Sequence, residues 1–180
     1  MRIPKRLLAS VTAAMFCAAS LASSPALGAD KFYVQFEGIK QGSFKGAIQR
    51  NGSPWIEIQS FSRGVVSPRD AATGQASGKR EHTPILIVKQ ADAASAQISQ
   101  AAHSNELLRE VLIQSVRTGP NGKEQVYQTI KLTDAIIANV ERVAGSTRNE
   151  AERIRLTYQK IEVTDSKGGV TATDDWMAPN

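Results

Sequence analysis

Leu107-Leu108-Arg109-Glu110-Val111-Leu112-Ile113-Gln114-Ser115-Val116-Arg117 runs into Thr118-Gly119-Pro120-Asn121-Gly122, and Val126-Tyr127-Gln128-Thr129-Ile130-Lys131-Leu132 follows. The two flanks are rich in β-branched and aliphatic residues, and the second alternates Val126, Gln128, Ile130 and Leu132 against Tyr127, Thr129 and Lys131. A Gly-Pro-Asn-Gly turn between two such runs is the signature of a β-hairpin, because Gly and Asn accept positive φ and Pro cannot donate to a ladder. An antiparallel β fold is built outward from this hairpin.

Upstream, Phe32-Tyr33-Val34-Gln35-Phe36-Glu37 alternates with Phe32, Val34 and Phe36 on one face, which predicts a half-buried strand. Gly38 to Pro54 is rich in Gly, Ser, Lys and Asn and reads as a loop. Trp55 to Phe61 alternates again, with Ile56 and Ile58 opposite Trp55, Glu57, Gln59 and Phe61, so both faces carry bulk. Ser62 to Lys79 shows neither hydrophobic period and is expected to protrude as a long loop. Ile85-Leu86-Ile87-Val88, bounded by Pro84 and Lys89, predicts a strand buried on both faces.

One helix is expected, capped by Asp92 and running from Ala93 to His103, with a small-residue face of Ala94, Ile98, Ala101 and Ala102. Asp134 to Val143 fits a helical face or a broken strand, and the strand is the preferred reading. Gly145 to Asn149 is a polar turn. Ile154, Leu156 and Tyr158 then share one face, but the apolar phase flips to Ile161 and Val163, which predicts a bulge near Gln159-Lys160. Asp165 to Asn180 is polar around a lone Trp176 and is expected to pack at the edge. The sum is a mainly β protein, an antiparallel β-barrel of two sheets with one short α-helix.

The N-terminus reads separately. Met1-Arg2-Ile3-Pro4-Lys5-Arg6 is basic, Leu7 to Leu21 is uncharged and apolar, and small residues stand at cleavage spacing before Ala29 or Asp30. Residues 1–29 therefore read as a secretory signal peptide and residues 30–180 as a single domain. The apolar run is about fifteen residues, short of the roughly twenty that span a bilayer, so no stable membrane insertion is expected. Cys17, the only cysteine, lies inside that run and not at its end, which argues against a lipid anchor. Disulfide and thiolate chemistry leave with it.

The leader holds three of the 22 basic residues and none of the 17 acidic ones, so most of the formal +5 charge belongs to it. The remainder intersperses both signs, which removes the basic footprint of a nucleic-acid binder. No nucleophile elbow, phosphate loop or histidine metal spacing occurs. His103 is expected to complement the helix C-terminus and His82 to bond within its loop. Glu150 and Glu152 fit a solvated charge lattice or an interface better than an acid–base pair, given Arg148, Arg153 and Arg155 nearby. Trp55 and Trp176 read as packing residues rather than a sugar or membrane surface. No catalytic, cofactor-binding or metal residue is assigned, and no cofactor.

Several segments together resemble one family. Gly78-Lys79-Arg80-Glu81-His82-Thr83-Pro84-Ile85 with Lys89-Gln90-Ala91-Asp92-Ala93-Ala94-Ser95 resembles the haemolysin-coregulated protein (Hcp) family, the tube subunits of type VI secretion. Tyr127 to Ala135 is similar to that family's strand carrying a Leu-x-x-Ala pattern, Glu152 to Ile161 to its last long strand, and Thr173-Asp174-Asp175-Trp176 to its ending. The likeness spans Phe32 to Trp176 in order. It implies a non-enzymatic, self-associating protein: a hexameric ring that stacks into a tube, with itself, secretion-machine components and small effector cargo as partners. By the same resemblance the Ser62 to Lys79 loop would reach a neighbouring ring, and Trp55 and Phe61 would face a neighbouring subunit. One departure concerns route, because such tube subunits ordinarily carry no cleavable leader. The reading is accordingly an Hcp-like protein exported to the periplasm or beyond, with a monomeric exported β-barrel binding module as the alternative and an enzyme third.

Overall fold

A computed structural model describes residues 30–119, 121–143 and 150–176. The proposed leader, Pro120 of the hairpin turn, the Gly145 to Asn149 turn and residues 177–180 lie outside them.

Among the described residues the strands are β1 (Lys31–Gly38), β2 (Gly42–Ser43), β3 (Ile48–Arg50), β4 (Ser53–Ile58), β5 (Ser60–Val66), β6 (Glu81–Gln90), β7 (Leu107–Thr118), β8 (Glu124–Val143), β9 (Ala151–Asp165) and β10 (Val170–Asp175), with one helix, α1 (Ser95–His103). All pairings are antiparallel, in the order β3-β4-β1-β7-β8-β9-β6-β5. The two ends of that order are joined by the chain itself. β4 pairs with β1, while β5, which follows after Gln59, pairs with β6. At the junction the Gln59 N–H donates to the Val88 carbonyl at 2.8 Å. Residues 53–66 thus bridge β1 to β6 and close the sheet into the barrel that the alternation predicts.

The central hairpin pairs as expected, from Leu107 opposite Ile136 to Thr118 opposite Glu124. β8 continues through Val143, which resolves Asp134 to Val143 as strand. The stretch from Gly38 to Pro54 is more ordered than a loop. It forms β2 and the β3–β4 hairpin, whose turn residues Asn51 and Gly52 have φ of 51° and 78°, the geometry two-residue hairpins need. Trp55 to Phe61 breaks at Gln59, and β5 runs on to Val66, so the unpaired excursion is shorter than Ser62 to Lys79. It carries its own bridge between Arg69 and Ala76, and residues 71–80 are all exposed. β6 is fully buried on the Ile85, Ile87 and Lys89 face and half-buried at Leu86 and Val88, so it is not sealed on both sides.

α1 begins at Ser95, two residues after the predicted Ala93. Asp92 still organises its start: its Oδ1 accepts from the Ala94 N–H at 2.9 Å, in a turn before the first helical residue. The predicted face is correct, with Ala94, Ile98 and Ala101 buried in the core and Ala102 packed against it. Asp165 to Trp176 is not loose packing, since Val170 to Asp175 pairs along β9 from Asp165 to Lys160.

The phase flip on β9 is real, but no bulge lies at Gln159-Lys160. Val111, Leu132 and Ile161 form one buried row across β7, β8 and β9, and Leu108, Ala135 and Tyr158 form the next. Each strand skips two residues between rows, and the registers stay constant through the level. The three strands turn over together around Asp134, a non-glycine residue at φ 51°. At this level β7 shifts by one residue against β1, with Arg109 extra between the Glu37–Glu110 and Gly38–Leu108 pairs, and further one-residue shifts occur between Ser115 and Val116 on β7, between Ile137 and Asn139 on β8 and opposite Arg63 on β6.

The main core joins both rows to Val34, Phe36, Phe44, Ile56, Ile58, Ile85 and Ile87. A second cluster of Tyr33, Trp55 and Val116, backed by Ile48, Leu112 and Val126, lies on the other face of β1, β4 and β7. It is sealed from outside by Arg50, whose guanidinium stacks 4.1 Å from the Tyr33 ring centroid.

Candidate assembly surfaces

Trp55 is 5% exposed within its own chain, and Phe61 packs edge-on against Phe32 with centroids 5.5 Å apart. The two rings expected to face a neighbouring subunit are therefore spent on internal packing. The bulk on both faces of Trp55 to Phe61 was legible, but the sequence did not show that Tyr33 and Val116 fill the outer face.

The charged residues sort into internal braces. Glu152 is fully buried and not part of a solvated lattice. Its Oε2 accepts from Lys89 Nζ at 3.0 Å and from Ser95 Oγ at 2.7 Å, and its Oε1 from Arg142 Nη2 at 2.7 Å. Lys89 Nζ, also buried, reaches the Gln90 carbonyl and Asp92 Oδ1 besides. Burial alone would raise the Glu152 carboxyl, but the Ser95, Arg142 and Lys89 donors outweigh it and hold it below the ordinary carboxylate range. Glu150 stays exposed, 3.7 Å from the Arg142 guanidinium. The network ties β6, β8 and β9 to the start of α1. A lysine closing an apolar run was the only sequence signal for it.

Glu106 was not foreseen. It is 2% exposed and receives the N–H groups of Lys40 and Gln41, each at 2.8 Å, and Gln41 Nε2 at 2.9 Å. Burial pushes its carboxyl up, and those bonds together with the Lys40 charge bring it below the usual range. It fixes the turn between β1 and β2 and with it the position of Ile39.

His82 bonds across strands and not within a loop. The one-residue shift on β6 places Pro84 and Ile85 together opposite Arg63, which turns His82 to the side of Ile85. Its Nε2 lies 2.8 Å from Asp174 Oδ2 on β10, and the Tyr158 hydroxyl lies 3.0 Å from its Nδ1 on β9. With the proton on Nε2, His82 donates to Asp174 and accepts from Tyr158. The bond from His82 and the Arg80 charge hold the Asp174 carboxyl low, and burial raises the Tyr158 phenol. Trp176 closes over His82 with centroids 5.4 Å apart. The β6–β9 ladder ends at Ile85, next to Pro84, which has no N–H to give. The gap beyond it is a cavity of about 290 Å³ lined by His82, Thr83, Pro84, Thr157, Tyr158 and Trp176. His103 Nδ1 lies 2.7 Å from the Ser99 carbonyl in the last turn of α1, where a helix-end histidine is expected.

Among the described residues no group of three or more His, Cys, Asp and Glu side chains is arranged to hold a metal ion. No described helix is long and apolar enough to cross a membrane. What the surface offers is exposed aliphatic and aromatic area at Ile39, Val65, Val66, Ile136, Val170 and Trp176.

A sequence profile described as "Type VI secretion system effector, Hcp" matches residues 33–164. The "Major exported protein" of Pseudomonas aeruginosa is 32% identical over 164 residues, covering 82% of this chain and 95% of that one. Among solved structures, one titled "Crystal structure of Hcp protein" superposes with a TM-score of 0.76 at 26% identity, over 82% of this chain and all of that one. "Secreted protein Hcp3 from Pseudomonas aeruginosa" gives 0.69 at 29% identity, over 83% of this chain and all of that one. With the barrel, the single helix and the ordered sequence segments all in agreement, the chain belongs to the Hcp family of type VI secretion proteins.

Proposed function

We propose that residues 30–180 form one barrel domain that works by self-association, six copies closing a ring that stacks into a tube. The observation that carries this reading is the superposition over the full length of an Hcp chain at a TM-score of 0.76, with the family profile spanning the same barrel. Its chemistry is binding between surfaces and not turnover, and its further partners are components of the secretion machine and small effector cargo. The exposed excursion between Val66 and Glu81 suits contact with a stacked ring. Export is supported by the name of the Pseudomonas aeruginosa relative and by the leader pattern at residues 1–29. The same pattern supports a periplasmic or secreted location after cleavage.

Negatively stained micrographs of the purified exported chain test the ring: six-fold annuli support it, and isolated barrel-sized particles contradict it. A second reading, a monomeric binding module, is favoured by the ring-lined cavity of about 290 Å³ beside Trp176. Isolated particles whose Trp176 fluorescence responds to an added ligand would establish that reading instead.

A further inference from the structure

We propose that the end of β10 holds the arm that carries the exposed excursion between Val66 and Glu81 in the direction its contacts require, with Asp174 as the positioning residue. The inference rests on the self-association reading for what the excursion meets, and on the contacts of β10 for what holds it.

Beyond Ile85 the sheet narrows to two strands. Gly64, Val65 and Val66 pair with Thr83, His82 and Glu81, β5 ends the strand order, and the β6–β9 ladder stops at Ile85. The ribbon carries on into the excursion, where Arg69 bridges Ala76 and the Ser77 N–H donates to the Pro68 carbonyl at 3.0 Å. Its tip is closed by Asp70, whose Oδ1 accepts from the Ala72 and Thr73 N–H groups at 3.1 and 2.8 Å. The arm is thus ordered along its length but joined to the barrel through a narrow base. That base holds the one-residue shift opposite Arg63, and the cavity of about 290 Å³ lies there with Thr83 and Pro84 on one wall and Thr157 and Tyr158 on the other. A bulge bends a strand, and a two-stranded ribbon standing alone is marginal in water. Its direction therefore depends on contacts from outside the ribbon.

The end of β10 supplies them. His82 Nε2 lies 2.8 Å from Asp174 Oδ2, Lys79 Nζ donates to the Trp176 carbonyl at 2.9 Å, and the Trp176 ring packs on His82. Arg80 Nη2 reaches Asp174 Oδ1 at 3.4 Å. These contacts are unequal. The Arg80 side chain is 62% exposed, and an ion pair so well solvated contributes little. The His82 side chain is only 8% exposed and that of Asp174 30%, so their bond forms largely out of water and is the stronger one. β10 is itself paired to β9 from Val170 opposite Asp165 to Asp175 opposite Lys160, which passes the hold on to the barrel. An arm fixed in this way loses less freedom on meeting a stacked ring than a swinging one.

Limited trypsin digestion of the full chain reads the hold, at a dilution where micrographs show no stacked particles. Cutting of a folded protein tracks its open population when closing is fast, and Arg69, Lys79 and Arg80 are exposed sites on the arm. Asp174→Ala and His82→Ala are each expected to speed cutting at those sites about tenfold, the worth of one hydrogen bond to a charged group. The double variant should be no faster than either, because both changes remove the same bond. Glu106→Gln, which loosens the barrel at the β1–β2 turn, should leave the arm as resistant as the parent. At higher concentration Asp174→Ala should still form rings but need about tenfold more protein to stack them. Arm cutting at the parent's rate in Asp174→Ala, or an acceleration that Glu106→Gln matches, overturns the hold. A freed arm with undiminished stacking overturns its part in assembly. A parent that forms no rings overturns the ring reading, while the digestion still decides the hold.

Discussion

Lys89 Nζ lies 3.0 Å from Glu152 Oε2 in the interior, where both side chains are sealed from solvent and each has its remaining partners within the chain. Such a pair contributes little relative to a well-packed apolar replacement, yet removing Lys89 leaves the buried Glu152 carboxylate with only Arg142 and Ser95 to compensate it. Lys89→Met is expected to cost roughly 3–5 kcal/mol in urea denaturation. The double variant Lys89→Met, Glu152→Leu should recover a large part of that loss. A double variant no more stable than the single one would show that the network's geometry, and not its charge balance, is what matters.

Asp134 turns three strands over at once from the left-handed region. Asp134→Gly should leave stability unchanged or slightly higher, and Asp134→Val should lose about 1–2 kcal/mol, because a β-branched side chain is disfavoured at that φ. Thermal melting of the two variants checks the order.

A Cβ on Gly46 would fall 2.1 Å from the Trp55 carbonyl oxygen, a backbone atom that cannot rotate away. Gly46→Ala is therefore expected to lift the segment before β3 from the Tyr33–Trp55–Val116 cluster. In a Trp176→Phe background the remaining Trp55 emission should shift to the red, and an unshifted spectrum would contradict the packing described.

Acid sensitivity follows from carboxylates held low in the folded state. Asp174 is depressed by His82 and Arg80, and Glu106 by the donors of the β1–β2 turn. A depressed carboxylate contributes stability that is complete above its ordinary pKa and is lost as the pH falls through its folded value. Stability should accordingly be flat from pH 7 to about 5 as far as these groups are concerned and fall below about pH 4. Glu106→Gln should be less stable at pH 7 and show a shallower acid limb, measured as urea midpoint against pH.

The central hairpin, the first strand and the face of α1 were legible because their patterns are local: alternation of period two, a Gly-Asn turn, and Ala94, Ile98 and Ala101 at helical spacing. The phase change at Tyr158 and Ile161 was visible too, but its cause was not, since a bulge adds a residue to one strand and the actual turn is shared by three. β10 escaped notice because Val170-Thr171-Ala172-Thr173 buries little and is held by the neighbouring ladder and the His82–Asp174 bond. The surfaces were read least well. Trp55 looks outward by alternation, yet Tyr33 and Val116 meet it there, whereas Ile39 in a turn and Val65 in an apparent loop gave no periodic signal.

The ring is the central claim, and the mass of the exported chain in solution tests it most directly. Light scattering across a concentration series is predicted to give six protomer masses, stable to dilution well below micromolar concentration. A single protomer mass at the highest concentration reached would contradict the account.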